Sequence, residues 1–189
     1  YSKELNEMAS MTPRQFPDQN SKNLIFGVPG KGIDKPFGVY GTDCIPDIQL
    51  MSNGQYFSLH TFEENQLFGR DTISTLNPSF VKKFNNNCSG RFTDQEIFHG
   101  CYALLHSEGY RKAFEVDLKK SMAAIPERID REVFKEFVDA GFELMNLHVN
   151  YETFSSQAKV TVDGEESGNF KVEKKIKLVE NPGVAIRLN

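Results

Sequence analysis

The hydrophobic period of this chain changes twice, and that switching limits the folds open to it more than any other feature. Over residues 23–62 the apolar residues come in short β-prone runs at 24–28, 37–40, 45–51 and 56–62. Over 78–150 they recur every three to four positions, and from 158 onward short runs return at 159–162, 170–179 and 184–188. A period of two lays alternate side chains on the two faces of a strand, whereas 3.6 lays them on one face of a helix. Strands and helices are thus segregated along the chain. The pattern predicts an α+β fold with an antiparallel strand-rich N-terminal part, a central bundle of three to four helices and C-terminal strands or a hairpin.

Turn chemistry separates the strands at Pro29-Gly30-Lys31-Gly32, Gly41-Thr42-Asp43 and Ser52-Asn53-Gly54. Asn53-Gly54 is the strongest hairpin signal, because both residues tolerate positive φ. Lys31, Lys35, Ser52 and Asn53 then project from loops. In the middle, Pro78 opens a helix after Asn77 that carries Phe80, Val81 and Phe84, and Asn85 to Asn87 with Ser89-Gly90 end it. Thr93 and Glu96 form a capping box ahead of Ile97, Phe98, Cys101, Tyr102 and Leu105, in a helix expected to stop near Gly109. The next segment carries Tyr110, Phe114 and Leu118 at spacing four and closes at Pro126. Asp130 caps a longer helix with a stripe of Val133, Phe134, Phe137, Val138, Phe142 and Met145.

With 189 residues, 39% hydrophobic and 16 Phe, the chain can bury a substantial core, which excludes disorder. It has no apolar run long enough for a membrane helix. Cys44, Cys88 and Cys101 are odd in number and lack C-x-x-C spacing, which suits reduced thiols in a cytoplasmic protein. The polar stretch from Tyr1, which is not a Met, has no signal-peptide core and reads as part of a longer chain. Net charge is −4. It divides as −1 over 1–60, −4 over 61–157 and +1 over 158–189, so the strand-rich ends suit a phosphate backbone better than the helical middle.

Several motifs suggest chemistry. FGVPGKG at residues 26–32 is a glycine-rich turn of the kind that cradles phosphate, but Gly32 stands where a Walker A loop needs Ser or Thr, and a hairpin-type turn explains it more simply. NPSF at 77–80 is one residue from the N-P-P-Y/F motif with which amino-methyltransferases hold a flipped adenine, but a helix start with Pro78 in its first turn explains it more simply. His99 and His106 lie near Cys101, yet the closely spaced ligand pairs of a zinc site are missing. His60 and His148 stand alone. No nucleophile and base pair or carboxylate pair is identifiable, so no catalytic, metal or cofactor residue is assigned.

Three blocks carry a family resemblance. YSKELNE at 1–7 with Phe16-Pro17, YGTDCIPDIQLMSNGQYFSLHTFE at 40–63 and EIFHGCYALLHSEGYRKAFEVDLKKSMAAIP at 96–126 resemble the C-terminal target-recognition region of type ISP restriction-modification enzymes. The helix through Leu147-His148 is also similar. These enzymes join endonuclease, helicase-like motor, adenine methyltransferase and recognition parts in one polypeptide. The resemblance implies that residues 1–22 are a linker following a methyltransferase. Residues 23–189 are then the recognition domain, β-rich over 23–62, helical over 78–150 and β-rich over 158–189, continuing beyond Asn189.

The resemblance further implies recognition of a short asymmetric site in double-stranded DNA, directing methylation of one adenine and ATP-dependent cleavage. Those reactions, with their S-adenosylmethionine, ATP and magnesium, belong to the parent chain, whose methyltransferase and motor are the expected intramolecular partners. A structural coupler between those two domains, and a divergent methyltransferase fragment, are the alternative readings. In the third block, Ile97, Phe98, Tyr102, Leu105, Tyr110 and Phe114 read as helix packing, and His106 and Arg111 as orienting that corner. Loop position and side-chain chemistry nominate the DNA contacts: Arg14, Lys22, Lys31, Lys35, Asn53 and Gln55 in the sheet region, with Lys82, Lys83 and Arg91 around the next loop.

Overall fold

The computed structural model describes residues 12–32, 36–47, 49–65, 69–153, 177–178 and 186–187. It divides into two units, Tyr1–Phe154 and Ser155–Asn189. The first begins with one helical turn, α1 (Thr12–Gln15). Strands β1 (Ile25–Val28), β2 (Tyr40–Thr42) and β3 (Gln55–Ser58) follow and form an antiparallel sheet in the order β2-β1-β3. β1 is central and buried throughout. Phe26 packs its ring 4.9 Å from Phe98 and 5.9 Å from Tyr102, while Tyr56 lies across from Gly27 in the register.

A second antiparallel pair, β4 (His60–Asn65) with β5 (Gly69–Ser74), runs in register from His60↔Ser74 to Asn65↔Gly69. The run expected at 56–62 therefore bends into two strands, and the bend has an identifiable cause. At Leu59 the N–H donates to Leu24 O at 2.8 Å, continuing the β1 register by one residue, while the carbonyl accepts from Thr75 N at 3.1 Å, just past β5, so the chain passes from one ladder to the other at this residue. Buried Asn23 secures the junction: its Nδ2 donates to Gln15 O (3.0 Å) and His60 O (2.8 Å), and its Oδ1 accepts from the N–H groups of Leu24 (2.9 Å) and His60 (3.1 Å). A buried amide with all these bonds made carries no desolvation penalty.

Among the described residues, 45–47 and 49–51 do not form the strand expected at 45–51. Asp47 takes the Gln49 N–H on its carboxylate at 2.6 Å, Leu50 N donates to Asp47 O at 3.1 Å and Ser52 N to Gln49 O at 3.0 Å. Such local bonds occupy groups that a ladder needs. Ser52 and Asn53 then take positive φ, 52° and 58°, so the turn sits one residue earlier than Asn53-Gly54 and leads into β3 without closing a hairpin. The expected strand at 37–40 is displaced to Tyr40–Thr42, and β5 is an element the periodicity did not mark.

The helices are α2 (Pro78–Asn87), α3 (Asp94–His106), α4 (Glu108–Ala113), α5 (Glu115–Lys120) and α6 (Arg131–Val149). The capping box forms as expected: Thr93 Oγ1 accepts from Glu96 N at 3.2 Å and Glu96 Oε2 from Thr93 N at 2.7 Å. Asp130 caps α6, accepting from Glu132 N at 2.9 Å and Val133 N at 3.2 Å. α3 stops at Ser107 rather than Gly109, because Ser107 has extended ψ and its hydroxyl caps α4 by accepting from Tyr110 N. The segment expected to run to Pro126 is two short helices, broken at Phe114 (φ −112°, ψ 17°) and ended at Lys120. The break changes the helical phase. Tyr110 and Leu118 are buried while Phe114 stays exposed.

One apolar cluster joins the sheet to α3 and α6 through Phe26, Val28, Phe98, Tyr102, Leu105 and Met145; another joins α2, α3 and α6 through Phe84, Ile97, Phe134 and Val138. Cys44, Cys88 and Cys101 are free thiols. Burial pushes the Cys101 thiol up to about 12, so it is an inert core residue. In the second unit, β6 (Lys177–Leu178) pairs antiparallel with β7 (Ile186–Arg187). The strand expected at 159–162 and the Asp163-Gly164 turn lie outside the described residues.

Candidate nucleic-acid interface

Strand register sorts the nominated DNA contacts into groups. Gln55 lies opposite Val28, and Gly30 packs against the Asn53 carbonyl so closely that a β-carbon there would meet it at 2.5 Å. Lys31, Asn53 and Gln55 are thereby exposed at one end of the sheet. Asn53 is partly engaged, since its Oδ1 accepts from Gln49 Nε2 at 3.1 Å. At this same end Gly32 N donates to Lys119 O at 3.1 Å, which docks the loop onto the C-terminus of α5. Lys119 and Lys120 thus join Lys31, a neighbourhood no local pattern indicates. The bond also occupies a backbone donor that a phosphate-cradling reading of FGVPGKG would need.

Beside this edge lies a cleft of about 310 Å³ lined by Pro36, Phe37, Arg111, Lys112, Leu118 and Lys119 with Glu108 and Glu115. Lys112 pairs with Glu108 at 2.7 Å and Lys119 with Glu115 at 2.9 Å. Arg111 has no carboxylate partner among the described residues, and its Nε is buried without a hydrogen bond. The sequence reading gave Arg111, with His106, the role of orienting that corner; its membership of a cleft wall was not visible there.

Arg14 and Lys22 sit at the other end of the sheet. Gln15 Nε2 donates to Ser58 Oγ at 3.2 Å, and Ser58 faces Ile25, three residues along the register from the Gln55 end. At roughly 3.4 Å per residue the two ends are about 10 Å apart. Lys82, Lys83 and Arg91 are exposed on and after α2, and Lys83 is paired with Glu127 at 2.7 Å. Lys35 lies outside the described residues. The β4–β5 pair adds Arg70, ion-paired with Asp18, among Glu63, Glu64 and Asp71.

The methyltransferase-like NPSF segment is a helix cap. Asn77 Oδ1 accepts from Ser79 N at 2.8 Å and Phe80 N at 3.4 Å, and the Phe80 ring packs 5.7 Å from Phe84. No group of His, Cys, Asp and Glu among the described residues could hold a metal ion. His99 is buried, with Nδ1 donating to Gln95 O at 2.8 Å and its ring stacked 3.8 Å from Phe142. His106 lies 4.7 Å from the Tyr102 ring and 5.3 Å from His148, which itself hydrogen-bonds the Tyr102 hydroxyl.

Burial, then the neighbouring His148 and Arg111, push the His106 pKa down to about 4. The unfolded chain therefore takes up a proton below about pH 6.5 that folded His106 refuses until about 4, so stability is complete above 6.5 and declines as pH falls through this window. His99 and His148, lowered by burial, act in the same direction. Urea unfolding at pH 7 and pH 5 is expected to show a loss at pH 5 of about 1–2 kcal/mol from His106. His106→Asn should flatten that dependence, and an unchanged slope would assign it to other groups.

The family model for the type ISP C-terminal specificity domain matches residues 1–185. The chain belongs to that family. Among solved structures, the specificity domain resembles the cryo-EM structure of a DrdV–DNA complex in fold (TM-score 0.72, 24% identity), covering 96% of this chain and 18% of that one. It is similar to the ATP-dependent type ISP restriction-modification enzyme LlaBIII bound to DNA (TM-score 0.69, 26% identity, 95% and 12% covered). It is also similar to a nuclease-deletion mutant of the type ISP enzyme LlaGI in complex with a DNA substrate mimic (TM-score 0.61, 27% identity, 95% and 12% covered). No curated protein matches. The specificity domain thus spans 12–18% of the length of these chains. Among the described residues no helix is long and apolar enough to cross a membrane.

Proposed function

We propose that this specificity domain reads a short sequence in double-stranded DNA on behalf of a type ISP restriction-modification enzyme. Adenine methylation and ATP-dependent cleavage, with S-adenosylmethionine, ATP and magnesium, fall to the methyltransferase, motor and nuclease of a longer chain. The observation that carries the reading is the family match over residues 1–185, and it is supported by LlaBIII and LlaGI, relatives that are bound to DNA or its mimic. Work on cellular DNA puts the domain in the cytoplasm, where Cys44 and the two buried thiols stay reduced.

The sheet edge that gathers Lys31, Asn53 and Gln55 with Lys119 and Lys120 supplies both kinds of contact that sequence reading needs. Lysines neutralise phosphates without regard to sequence, and amide side chains pair with adenine edges in the major groove. Arg14, Lys22, Lys82, Lys83 and Arg91 are further candidates for phosphate contact, as is Lys35 by its chemistry. The acidic total charge is compatible with this division, since other domains can supply much of the nonspecific grip.

Fluorescence anisotropy with a labelled random-sequence duplex pool tests the proposal. Binding should weaken steeply between low and near-physiological salt, and replacing Lys31, Lys119 and Lys120 by Ala should lower the salt slope by about 2–3. No binding at low salt, or a slope unchanged in the triple variant, would refute the respective part of the reading.

A further inference from the structure

The long helix α6 carries two apolar seams, and its own fold uses one. Phe134, Val138, Gly141 and Met145, at spacings of four, three and four, are buried in the core. One position earlier, Val133, Phe137, Ala140, Leu144 and Leu147 repeat the same spacing, and Tyr151 continues it just past the helix end. Phe137 and Leu144 lean on the core. Val133 (45% exposed), Ala140, Leu147 (37%) and Tyr151 (69%) face outward. A strict 3.5-residue apolar repeat is the pattern by which one helix seats another, and a small residue such as Ala140 at its middle permits close approach.

The charge beside this seam identifies the occupant. At 100° per residue, Glu132, Glu136, Asp139 and Glu143 fall within one narrow arc next to the outer seam, on the side away from the core. Glu132 reaches Arg131 at 4.0 Å; Glu136, Asp139 and Glu143 have no ion-pair partner among the described residues. Four carboxylates repel a duplex backbone. They equally disfavour a second copy of this chain, because antiparallel pairing of α6 with α6 about Ala140 would set Glu136 of each copy against Glu143 of the other. They favour a helix with cationic flanks.

We propose that the outer seam of α6 docks an amphipathic helix flanked by lysine or arginine, contributed by a domain of the longer polypeptide outside these 189 residues. This rests on the reading of the chain as one module of a longer enzyme. The specificity domain then has two opposed chemistries: a basic sheet edge for phosphate, and an apolar helix face with an acidic border for protein. The docked helix covers Val133, Ala140 and Leu147 and places its cations over Glu136 and Glu143.

Two labelled 21-residue synthetic peptides with the same Leu/Ala heptad seam, one flanked by Lys and the other by Glu, test the proposal by anisotropy titration against the whole 189-residue chain. The Lys-flanked peptide should bind at least tenfold more tightly than the other. Ala140→Glu and Leu147→Glu should each weaken it at least tenfold while leaving the thermal midpoint unchanged, and Glu136→Lys with Glu143→Lys, which brings the four-residue arc to zero net charge, should abolish the preference. Absence of binding, equal binding of both peptides, or a chain dimer abolished by Ala140→Glu would each overturn it. A chain that binds duplex DNA but neither peptide sinks only the docking proposal; one that binds the Lys-flanked peptide but no DNA sinks only the recognition reading.

Discussion

Gly141→Ala should destabilise the chain by about 3 kcal/mol, lowering the thermal midpoint by roughly 10 °C. The substitution gives a clean test because two physical effects predict opposite signs. Alanine is the better helix former by about 1 kcal/mol, so an α6 governed by propensity would gain from the change. Packing predicts the reverse. A β-carbon at Gly141 would stand 2.0 Å from the His99 carbonyl oxygen and 2.5 Å from its carbon, and both are backbone atoms of α3 that no rotamer change can move. The helices must separate, and separation opens the clusters around Phe134 and Met145 on either side. Thermal unfolding followed by circular dichroism decides the matter; a stabilised variant would mean that α3 and α6 do not approach this closely.

Phe134→Ala is expected to lose about 3–5 kcal/mol, the range for emptying a fully buried aromatic site. Phe134 is inaccessible to solvent, with its ring edge-on to Phe84 at 4.8 Å and to Phe92 at 5.0 Å. It thereby links α2, the turn after it and α6. Opposite the ring lies Gly100, where a β-carbon would meet Phe134 Cζ at 2.4 Å. This knob-and-hole relation makes a second outcome measurable. Gly100→Ala alone should be destabilising, yet in the Phe134→Ala background the new methyl enters vacated space and its penalty should vanish. Chemical denaturation of the four proteins of this cycle gives the coupling directly, and additive effects would show that the two residues do not touch.

Much of the local structure was legible because its causes are local. Asn77 with Pro78, Thr93 with Glu96, and Asp130 each start a helix by satisfying backbone donors within three residues, so the starts of α2, α3 and α6 could be read directly. The ends were less legible. Ser107 was overlooked as a stop because its hydroxyl serves the following helix, and the phase change at Phe114 leaves no mark in a spacing-four pattern. Residues 45–51 look like a strand in composition, but Asp47 turns them back with its own side chain. The family was legible from three blocks that turn out to be largely scaffold, with Ile97, Phe98, Tyr102, Leu105 and Tyr110 all buried.

The candidate interface was the least legible part. Lys31, Asn53 and Gln55 could be nominated one by one as loop residues, but their meeting with Lys119 and Lys120 depends on the Gly32–Lys119 bond between segments some 87 positions apart. The contact of Arg111 with the cleft likewise depends on where Phe37 and Leu118 pack.

Helix starts, the segregation of strands from helices, and family membership are thus properties of the sequence, because capping, periodicity and block resemblance act over a few residues. The pairing order β2-β1-β3, the bend at Leu59, the choice of the Phe134 seam of α6 for the core and the gathering of cations at one sheet edge were decided by the tertiary structure. Each of these selects between locally equivalent options. α6 offers two apolar seams of identical spacing, and what turns one of them inward is the close approach of Gly141 to the α3 backbone at His99 and the seating of Phe134 on Gly100 of α3, a long-range steric fit that no window of the sequence contains.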